Sequence, residues 1–460
     1  MTVRRRRRWL IGAAVALSVL SERSWSDAPS ASFTPSYIPG TQDASGQPMG
    51  GTEIRALVAH GGRLFAGDGD WKETGSPPGA QILVLDRPDG AWRVDHTFGD
   101  WLRGGRRRHL AISVLDDVTF RTDTRGVALP APVAMLIAST WDLTGTRTIF
   151  TRDDATGAWS GTVIAIDKPS PGFLPQIRSF GFQRDRQTGI DLAFAGDTRG
   201  IFAGANDPAV TGRIRWTGSP ELAIGSIDTA GFPGLSGRLR ISSFAEASGR
   251  LCAAIGQQVW VREDGPTPQW RPLYTNPNPH YSQTGLRGLT TLRTPGRDDV
   301  LLAAIEGNHS RIVRIDPVTG AESTDLDLAG FLDTAWGTGV SYVIGAYNDM
   351  ARVGADLVIG LEAFIPPAAP RPPGHTVLPV INGLEGGAWF LVRHPNGRYD
   401  LHQVLVRLPG IGQNLVAARS IVASPFPNDA GAIYLGGYDA NDTPAHNTGW
   451  IVRGAINPSK

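Results

Sequence analysis

Short stretches in which apolar and polar residues alternate recur along this chain, and one example spans residues 53–71. Within it Glu53–Ala59 alternates, Gly61 and Gly62 form a turn signal, and Arg63–Gly67 resumes the alternation. A period of two residues is typical of a strand with one buried face, and adjacent glycines favour a tight hairpin turn. The stretch therefore predicts a β-hairpin that runs into a loop rich in Asp and Gly.

Six further stretches follow this pattern, which indicates that the hairpin belongs to a repeated unit. The first strands of the seven units are predicted to begin near Glu53, His109, Gln176, Arg240, Leu286, Tyr342 and Ala418. A second hairpin follows in several units, at the turns Asp86–Gly90, Asp153–Trp159, Asp316–Gly320 and His394–Tyr399. Four short strands per unit with almost no helical periodicity is the arrangement of a β-propeller. We predict an all-β fold with one propeller, in which seven blades are favoured over six or eight and a two-sheet jelly roll is the alternative.

The last unit shows only three clear strands, the third of which is Thr448–Ala455. A closed ring would then take its missing outer strand from Ser32–Ile38, although Pro35 disfavours a regular strand there. The predicted organisation is a targeting segment over residues 1–31, an N-terminal lead over residues 32–51 that closes the ring, and the propeller over residues 52–456.

Composition agrees with a folded chain of many short strands. The 57 Gly and 34 Pro supply turns, while a hydrophobic fraction of 41% and 13 Trp exclude a disordered chain. The net charge of +1 disfavours nucleic-acid binding, since the dense basic run, Arg4–Arg8, lies in the targeting segment. The single cysteine, Cys252, lies in an apolar strand and is predicted to be a buried, inert thiol.

The N-terminus predicts export. The basic run precedes the apolar stretch Trp9–Leu20 and then small residues, which is the layout of a signal peptide and is too short for a stable membrane span. Both the Sec route and the twin-arginine route stay open, with cleavage after Ser26 or Ala31. The expected compartment is periplasmic or secreted.

Turns that end in Gly-Ala-Trp, such as Asp153–Trp159, resemble the Asp-box turns of sialidase-like propellers, which lie between the third and fourth strands of a blade. A leading Ser and an early Arg-Ile-Pro segment are both missing. The chain as a whole is similar to secreted bacterial propellers and matches no named enzyme family. The resemblance implies propeller architecture and does not imply sialidase activity.

In a propeller, the loop after each second strand and the loop before each first strand emerge on the same face. Six of the seven second strands are followed by an acidic residue, and Arg55, Arg178, Arg287 and Arg419 occupy matching positions in first strands, with Arg240 one step out of register. Arginine presents a planar fork that suits carboxylates, sulfates and phosphates. The pattern predicts either a site for an anionic ligand or a set of structural ion pairs between blades, and the structural pairing is favoured.

Residues that break the repeat are better candidates for function, because repeated residues often belong to the scaffold. The predicted ligand-binding residues are Arg55, Trp71, Trp141, Asp142, Arg178, Arg287, Tyr347, Asn348, Arg419, Tyr438 and His446. Asp70, Glu306 and His309 are the catalytic candidates. Aromatic faces beside carboxylates and amides suit sugars. Two carboxylates could cleave a glycoside, or His309 or Tyr347 could remove a proton beside an arginine-neutralised uronate, which is lyase chemistry.

The sequence requires no cofactor and predicts no metal site. Oxygen ligands at Asp68–Asp70 and Asp439–Asp442 would allow Ca²⁺, but neither segment has the spacing of an EF-hand loop. The favoured hypothesis is an exported propeller that binds a carbohydrate, with an acidic polysaccharide and its cleavage by a hydrolase or lyase as more specific forms. The alternative is a non-catalytic scaffold that binds a protein or a component of the cell envelope.

Overall fold

The structure is a computed structural model that describes residues 32–456, apart from 71–77, 104, 169–174, 229–238, 280–284, 294–298, 338, 348–349, 366–387, 405, 407, 409–414 and 440–446. The predicted signal peptide, and with it the question of export, lies outside the described residues.

Before the first blade, the chain forms an isolated strand and a small hairpin. These are β1 (Phe33–Tyr37), β2 (Thr41–Gln42) and β3 (Pro48–Met49). Blade 1 contains β4 (Ala56–His60), β5 (Arg63–Asp68), β6 (Gln81–Leu85) and β7 (Arg93–Thr97). A hairpin of β8 (Trp101–Leu102) and β9 (Arg106–Arg107) leads into the next blade.

Blades 2 to 4 follow in chain order. Blade 2 contains β10 (His109–Thr122), β11 (Ala128–Asp142), β12 (Thr146–Arg152) and β13 (Trp159–Ile166). Blade 3 contains β14 (Ile177–Arg184), β15 (Asp191–Asp197), β16 (Gly200–Asn206), β17 (Ile214–Trp216) and β18 (Leu222–Ala223), followed by the 3₁₀ turn Ile224–Ser226. Blade 4 contains β19 (Ile241–Ala247), β20 (Arg250–Ile255), β21 (Gln258–Glu263) and β22 (Gln269–Thr275).

Blades 5 to 7 complete the ring. Blade 5 contains β23 (Leu286–Leu292), β24 (Val300–Ile305), β25 (Arg311–Ile315) and β26 (Glu322–Asp327), followed by the helix α1 (Leu328–Trp336). Blade 6 contains β27 (Tyr342–Gly345), β28 (Ala351–Val353), β29 (Asp356–Phe364), β30 (Trp389–Arg393) and β31 (Tyr399–Gln403). Blade 7 contains β32 (Leu415–Ala423), the 3₁₀ turn Pro427–Asp429, β33 (Ala432–Asp439) and β34 (Trp450–Ala455).

The architecture is a seven-bladed β-propeller, which confirms the predicted fold class and blade number. The blades are antiparallel meanders, to which β18 adds by pairing with β16 in blade 3 and β28 by pairing with β29 in blade 6. The predicted first strands lie at the inner edges of the blades, where strands of neighbouring blades contact one another. The four predicted turns all fall between the third and fourth strands of their blades. At two of them the leading Asp caps the turn, because Asp153 and Asp316 each accept hydrogen bonds from backbone N–H groups two and three residues ahead.

Helix α1 was not expected from the sequence. Asp327 caps it by accepting a hydrogen bond from the N–H of Gly330 at 3.2 Å, and Gly337 ends it in the left-handed conformation. Leu328, Leu332 and Trp336 bury one face of the helix against blades 5 and 6. No helix among the described residues is long and apolar enough to cross a bilayer.

The N-terminal strand closes the ring, as the sequence suggested. β1 pairs antiparallel with β34 and becomes the outer strand of blade 7. Pro35 is tolerated because β1 is an edge strand with a register shift between residues 35 and 37, where its missing N–H is not needed. Phe33 packs edge-on against Phe390 of blade 6, and Tyr37 packs against Trp92 of blade 1.

Ion pairs join neighbouring blades around the ring, in addition to apolar cores between the sheets. The arginine partners are almost fully buried, so the loss of one member would leave the other charge unpaired in the interior. Arg147 pairs with Asp197 at 3.1 Å, Arg262 with Asp185 at 2.8 Å, and Arg393 with Asp325 at 2.7 Å. The blades are thereby held in fixed positions relative to one another.

Phe33→Ala should destabilise the fold by roughly 3 kcal/mol or more, because the change opens a cavity at the closing strand. Urea unfolding of the chain that begins at residue 32 would measure the difference. Thr34→Ala is the matched control, since Thr34 is exposed on the same strand, and its effect should stay within about 0.5 kcal/mol. Equal midpoints for Phe33→Ala and the unchanged protein would show that the ring does not depend on β1.

Candidate functional site at the arginine-rich end of the central channel

The first strands of the blades surround a central channel with a cavity of about 640 Å³. Arg55 and Arg178 line it near the beginnings of their strands and Arg419 lines it from the middle of β32, while Asp117 and Arg352 also line it. The alignment of the repeat units predicts that these three arginines lie at one end of a propeller channel, and in the structure all three line the cavity.

Five arginines gather at this end and are called here the arginine cluster: Arg55, Arg178, Arg240, Arg287 and Arg419. Arg55 and Arg240 directly precede β4 and β19, and Arg178 and Arg287 are the second residues of β14 and β23. The positive charges of these side chains interact, since the charges of Arg240, Arg55 and Arg287 all lower the pKa of Arg178. The cluster is therefore a concentration of positive charge drawn from five different blades.

Three members of the cluster have carboxylate partners. Glu53 forms ion pairs with Arg55, at 3.6 Å, and with Arg419. Nε of Arg287 donates a hydrogen bond to Oε2 of Glu306. The structural pairing that the sequence favoured thus holds for Arg55, Arg287 and Arg419.

Arg178 and Arg240 differ from the other three. Within the part of the chain that the structure describes, neither side chain makes a hydrogen bond or an ion pair. Burial and the neighbouring arginines lower the pKa of Arg240 to about 10 and the pKa of Arg178 well below its usual value. Since a guanidinium keeps its proton in proteins, both groups hold positive charge that no described side chain neutralises by direct contact.

Two aromatic rings lie next to guanidinium groups of the arginine cluster. The guanidinium of Arg419 lies 4.0 Å from the centroid of the Tyr347 ring, and that of Arg287 lies 5.4 Å from it. Arg55 lies 5.8 Å from the ring of Trp141. Tyr347 and Trp141 therefore help to hold the arginines, through the attraction of a cation for an aromatic face.

Two glutamates in neighbouring blades lie beside Arg287 of the arginine cluster. Glu306 follows β24 of blade 5 and Glu362 lies in β29 of blade 6, and they are only 2% and 4% exposed. Tyr438 donates a hydrogen bond to Oε1 of Glu362 at 2.5 Å. Oε1 of Glu306 and Oε2 of Glu362 are buried without a hydrogen-bond partner among the described residues. Burial, together with the nearby charge of Glu306, raises the pKa of Glu362 to about 7 against the opposing effects of Tyr438 and Arg287.

Glu306 also lines a second, smaller pocket of about 220 Å³ between blades 4 and 5. This amide pocket, as we call it, is lined by Gln257, Asn276, Asn278, Ile305, Glu306, His309 and Arg311. Asn276 donates to Oε1 of Gln257 at 2.9 Å and accepts from Arg311 at 3.0 Å. The pocket offers amide and charged groups to a polar ligand, and His309 lies exposed at its edge.

Other residues predicted for the site lie apart from the arginine cluster. Asp142 is buried in an ion pair with Arg108 at 2.9 Å and accepts from the N–H of Thr144 at 2.8 Å. Asp70 is buried beside Arg107, and burial raises its pKa to about 7. Their roles in ligand binding and catalysis remain predictions. Trp71, Asn348 and His446 lie outside the described residues.

Sequence reasoning missed three side chains that belong to this face. Glu53 was seen only as the start of a strand, and Glu362 only as one of six acids after second strands. Trp101 lies in the hairpin of β8 and β9, in the connection that leads into a first strand, and is 52% exposed. The guanidinium of Arg107 covers one face of its ring at 3.8 Å. An isolated Trp-Leu pair carries no strand pattern, which explains why the hairpin was not predicted.

The described residues contain no group of three or more metal-ligating His, Cys, Asp or Glu side chains. Asp68 instead accepts hydrogen bonds from Tyr37 and from the N–H of Gly69, while most of the 439–442 segment lies outside the described residues. The prediction of no metal site, with Ca²⁺ allowed at that segment, stays a prediction. Cys252 is fully buried, and burial raises the pKa of its thiol to about 12, as expected of an inert thiol.

Comparison with known proteins gives no family. No protein-family model matches the chain, and no curated protein matches it. Among solved structures, it is similar to the extracellular domain of a protein named as a one-component system from B. thetaiotaomicron, with 13% identity and a TM-score of 0.48 over 92% of this chain. The chain spans only 40% of the length of that protein. It is also similar to the GH93 α-L-arabinofuranosidase of Fusarium graminearum, with 10% identity and a TM-score of 0.40 over 92% of this chain and 97% of the enzyme. Likenesses at this level carry no argument about activity.

Glu362→Gln should change how stability depends on pH. The folded-state pKa of Glu362, about 7, lies above the value of roughly 4.3 expected in the unfolded chain. The unfolded state therefore loses this proton first as pH rises, and the unchanged protein loses stability between about pH 4 and pH 7, by on the order of 3 kcal/mol. The variant lacks this loss, so its stability relative to the unchanged protein should rise over that window and level off above pH 7.

Urea unfolding of both proteins at several pH values between 4 and 8 would measure this difference. Infrared difference spectra would follow the protonated carboxyl group directly. Glu246→Gln is the control, because Glu246 is 39% exposed and lies away from the channel mouth. A stability difference between Glu362→Gln and the unchanged protein that stays constant with pH would contradict the raised pKa.

Proposed function

We propose that this protein is an exported β-propeller that binds an acidic carbohydrate at the arginine-rich end of its channel. The observation that carries the proposal is the pair Arg178 and Arg240, two guanidinium groups without a hydrogen bond or ion pair to any described residue. Export rests on the basic and apolar pattern of the first 31 residues.

An anion is the ligand that this charge distribution favours. Among the described residues, the five guanidinium groups face three carboxyl groups, those of Glu53, Glu306 and Glu362, so positive charge is in excess there. Keeping like charges together in a partly desolvated site costs free energy, which a bound carboxylate or sulfate would offset. Arginine can bind such a group through two parallel hydrogen bonds, which also fixes its orientation.

Several features support a carbohydrate rather than a small inorganic ion. The channel cavity of about 640 Å³ is large enough for more than one sugar unit, by comparison with typical ligand pockets of about 300 to 1,000 Å³. The amide pocket adds donors and acceptors that suit hydroxyl groups. The free face of Trp101 offers an apolar surface on which the ring of a sugar could stack.

Arg178→Gln and Arg240→Gln should each weaken binding of an acidic polysaccharide by about tenfold or more. A hydrogen bond between charged groups contributes about 1.5–3 kcal/mol, and 1.4 kcal/mol corresponds to a tenfold change in affinity. Calorimetric titration with polygalacturonate and with chondroitin sulfate would measure the change. Neutral dextran should bind much more weakly, and added salt should weaken the acidic ligands.

Arg125→Gln is the matched control for these variants, because Arg125 is 79% exposed and pairs with Asp123 at 3.1 Å away from the channel. Both cluster variants should also unfold at a higher urea concentration without ligand, since each removes an uncompensated charge. Unchanged affinity in a double variant of Arg178 and Arg240 would refute the anionic site. Binding of neither acidic polysaccharide would favour the alternative of a protein-binding scaffold.

Trp101→Ala should weaken binding of a long acidic polysaccharide several-fold while leaving the affinity for a single uronic acid unchanged. The hairpin of β8 and β9 lies on the face of the channel mouth, so only an extended ligand would reach both sites. Titrations with polygalacturonate and with galacturonic acid would separate the two effects. Val163→Ala is the control, because Val163 is a comparably exposed apolar residue on the outer strand of blade 2. Equal losses for both ligands would contradict a separate stacking surface.

A further inference from the structure

Glu306 and Glu362 form an unusual pair of buried carboxyl groups in neighbouring blades. Each uses one oxygen for a strong contact, with Arg287 or with Tyr438, and each leaves the other oxygen buried without a partner among the described residues. Leaving a buried polar atom unpaired costs about 1–3 kcal/mol, so such atoms call for an explanation. Two of them on adjacent acids, beside an excess of positive charge, suggest that a ligand supplies the missing contacts.

We propose that Glu362 and Glu306 act as an acid and a base that hydrolyse a glycosidic bond of the carbohydrate held by the arginine cluster. The inference rests on the proposed function, since the arginines must first hold the ligand beside these two carboxyl groups. It adds Glu362, which sequence reasoning had not selected, to Glu306, which it had.

The carboxyl groups of Glu306 and Glu362 lie in different environments. Glu306 is almost fully buried and is ion-paired with Arg287. Glu362 is desolvated, and its raised pKa of about 7 keeps a substantial fraction protonated near neutral pH. Glycoside cleavage uses one carboxyl group as general acid and a second as general base, and Glu362, which keeps its proton more readily, takes the role of the acid.

The reaction is a displacement by water. Glu362 gives its proton to the glycosidic oxygen while the bond from that oxygen to the anomeric carbon breaks, and the electron pair of the bond stays on the leaving oxygen. A water molecule forms the new bond to the anomeric carbon, and Glu306 accepts its proton. Proton exchange with solvent then returns both carboxyl groups to their starting states. The amide pocket beside Glu306 is polar and has room for this water.

Elimination, the lyase alternative, has weaker support from the tyrosines at this site. Burial and the nearby charge of Glu362 raise the pKa of Tyr438 well above its usual value, so its hydroxyl is a poor base. The Tyr347 ring is buried between the guanidinium groups of Arg287 and Arg419. A proton donor at Glu362 serves hydrolysis directly, whereas elimination first needs a base at the sugar carbon.

The test uses whichever acidic polysaccharide binds the full mature chain most tightly among polygalacturonate and chondroitin sulfate. Release of reducing ends without a gain in absorbance near 235 nm is expected for hydrolysis. Glu362→Gln and Glu306→Gln should each lower the rate by about 10²- to 10⁴-fold, as is typical for the loss of a general acid or base. Glu362→Gln should keep its affinity for the polysaccharide within about twofold, and Glu246→Gln should keep the full rate.

The pH dependence of the rate provides a readout that a structural role would not change. Activity should fall as pH rises through about 7, because Glu362 then loses the proton it must donate. Tyr438→Phe removes a hydrogen bond that favours the ionised form, so it should move this fall to higher pH. Thermal unfolding of each variant would confirm that the protein is folded under the conditions of the assay.

Several results would overturn the proposal. One is binding of the polysaccharide without release of reducing ends, which would leave the proposed function intact. Another is full activity in Glu362→Gln, and a third is the appearance of unsaturated products that absorb near 235 nm, which would indicate a lyase. Failure of both polysaccharides to bind would instead refute the proposed function itself, and the hydrolysis with it.

Discussion

Closure of the ring is the constraint on which the rest of this structure depends. The pairing of β1 with β34 joins the two ends of the described chain and fixes the seventh blade between the sixth and the first. Because all first strands then surround one channel, residues more than 300 positions apart in sequence, such as Arg55 and Arg419, can share the carboxylate of Glu53. If the ring of blades were open, these charges would not be brought together.

The closed ring also explains how the protein tolerates the arginine cluster. Guanidinium groups held near one another repel, and burial increases the repulsion because less water screens it. Cores between the blades, and buried ion pairs such as Arg147 with Asp197, oppose any outward movement of the blades. The repulsion is therefore retained in the folded protein, and under the proposed function a bound anion would relieve it. A site arranged in advance also spares a ligand the free energy of gathering these groups.

Much of the architecture could be predicted because it follows from local periodicity. Alternation with a period of two located the seven first strands, and the turn residues located the hairpins between third and fourth strands. Helix α1 was missed because its nine residues are too short to give a clear helical period, and its Asp327 cap lies in the preceding strand.

The site was predictable only in part, for a different reason. Register determines which end of the channel a side chain occupies, but it does not determine which partner that side chain selects across a blade boundary.

The arginines illustrate this limit and also show where function separates from scaffold. Arg55 and Arg178 occupy equivalent positions in the repeat, yet Arg55 has Glu53 two residues before it, where the third blade has the neutral Gln176. Substitution of one acid by an amide converts a structural ion pair into an uncompensated charge. The paired members thus have the ion pairs expected of a scaffold, whereas Arg178 and Arg240 have none among the described residues, which is why the proposed function is placed on them. In a repeat protein, a repeated position that has lost its partner is therefore as good a candidate for function as a residue that breaks the repeat.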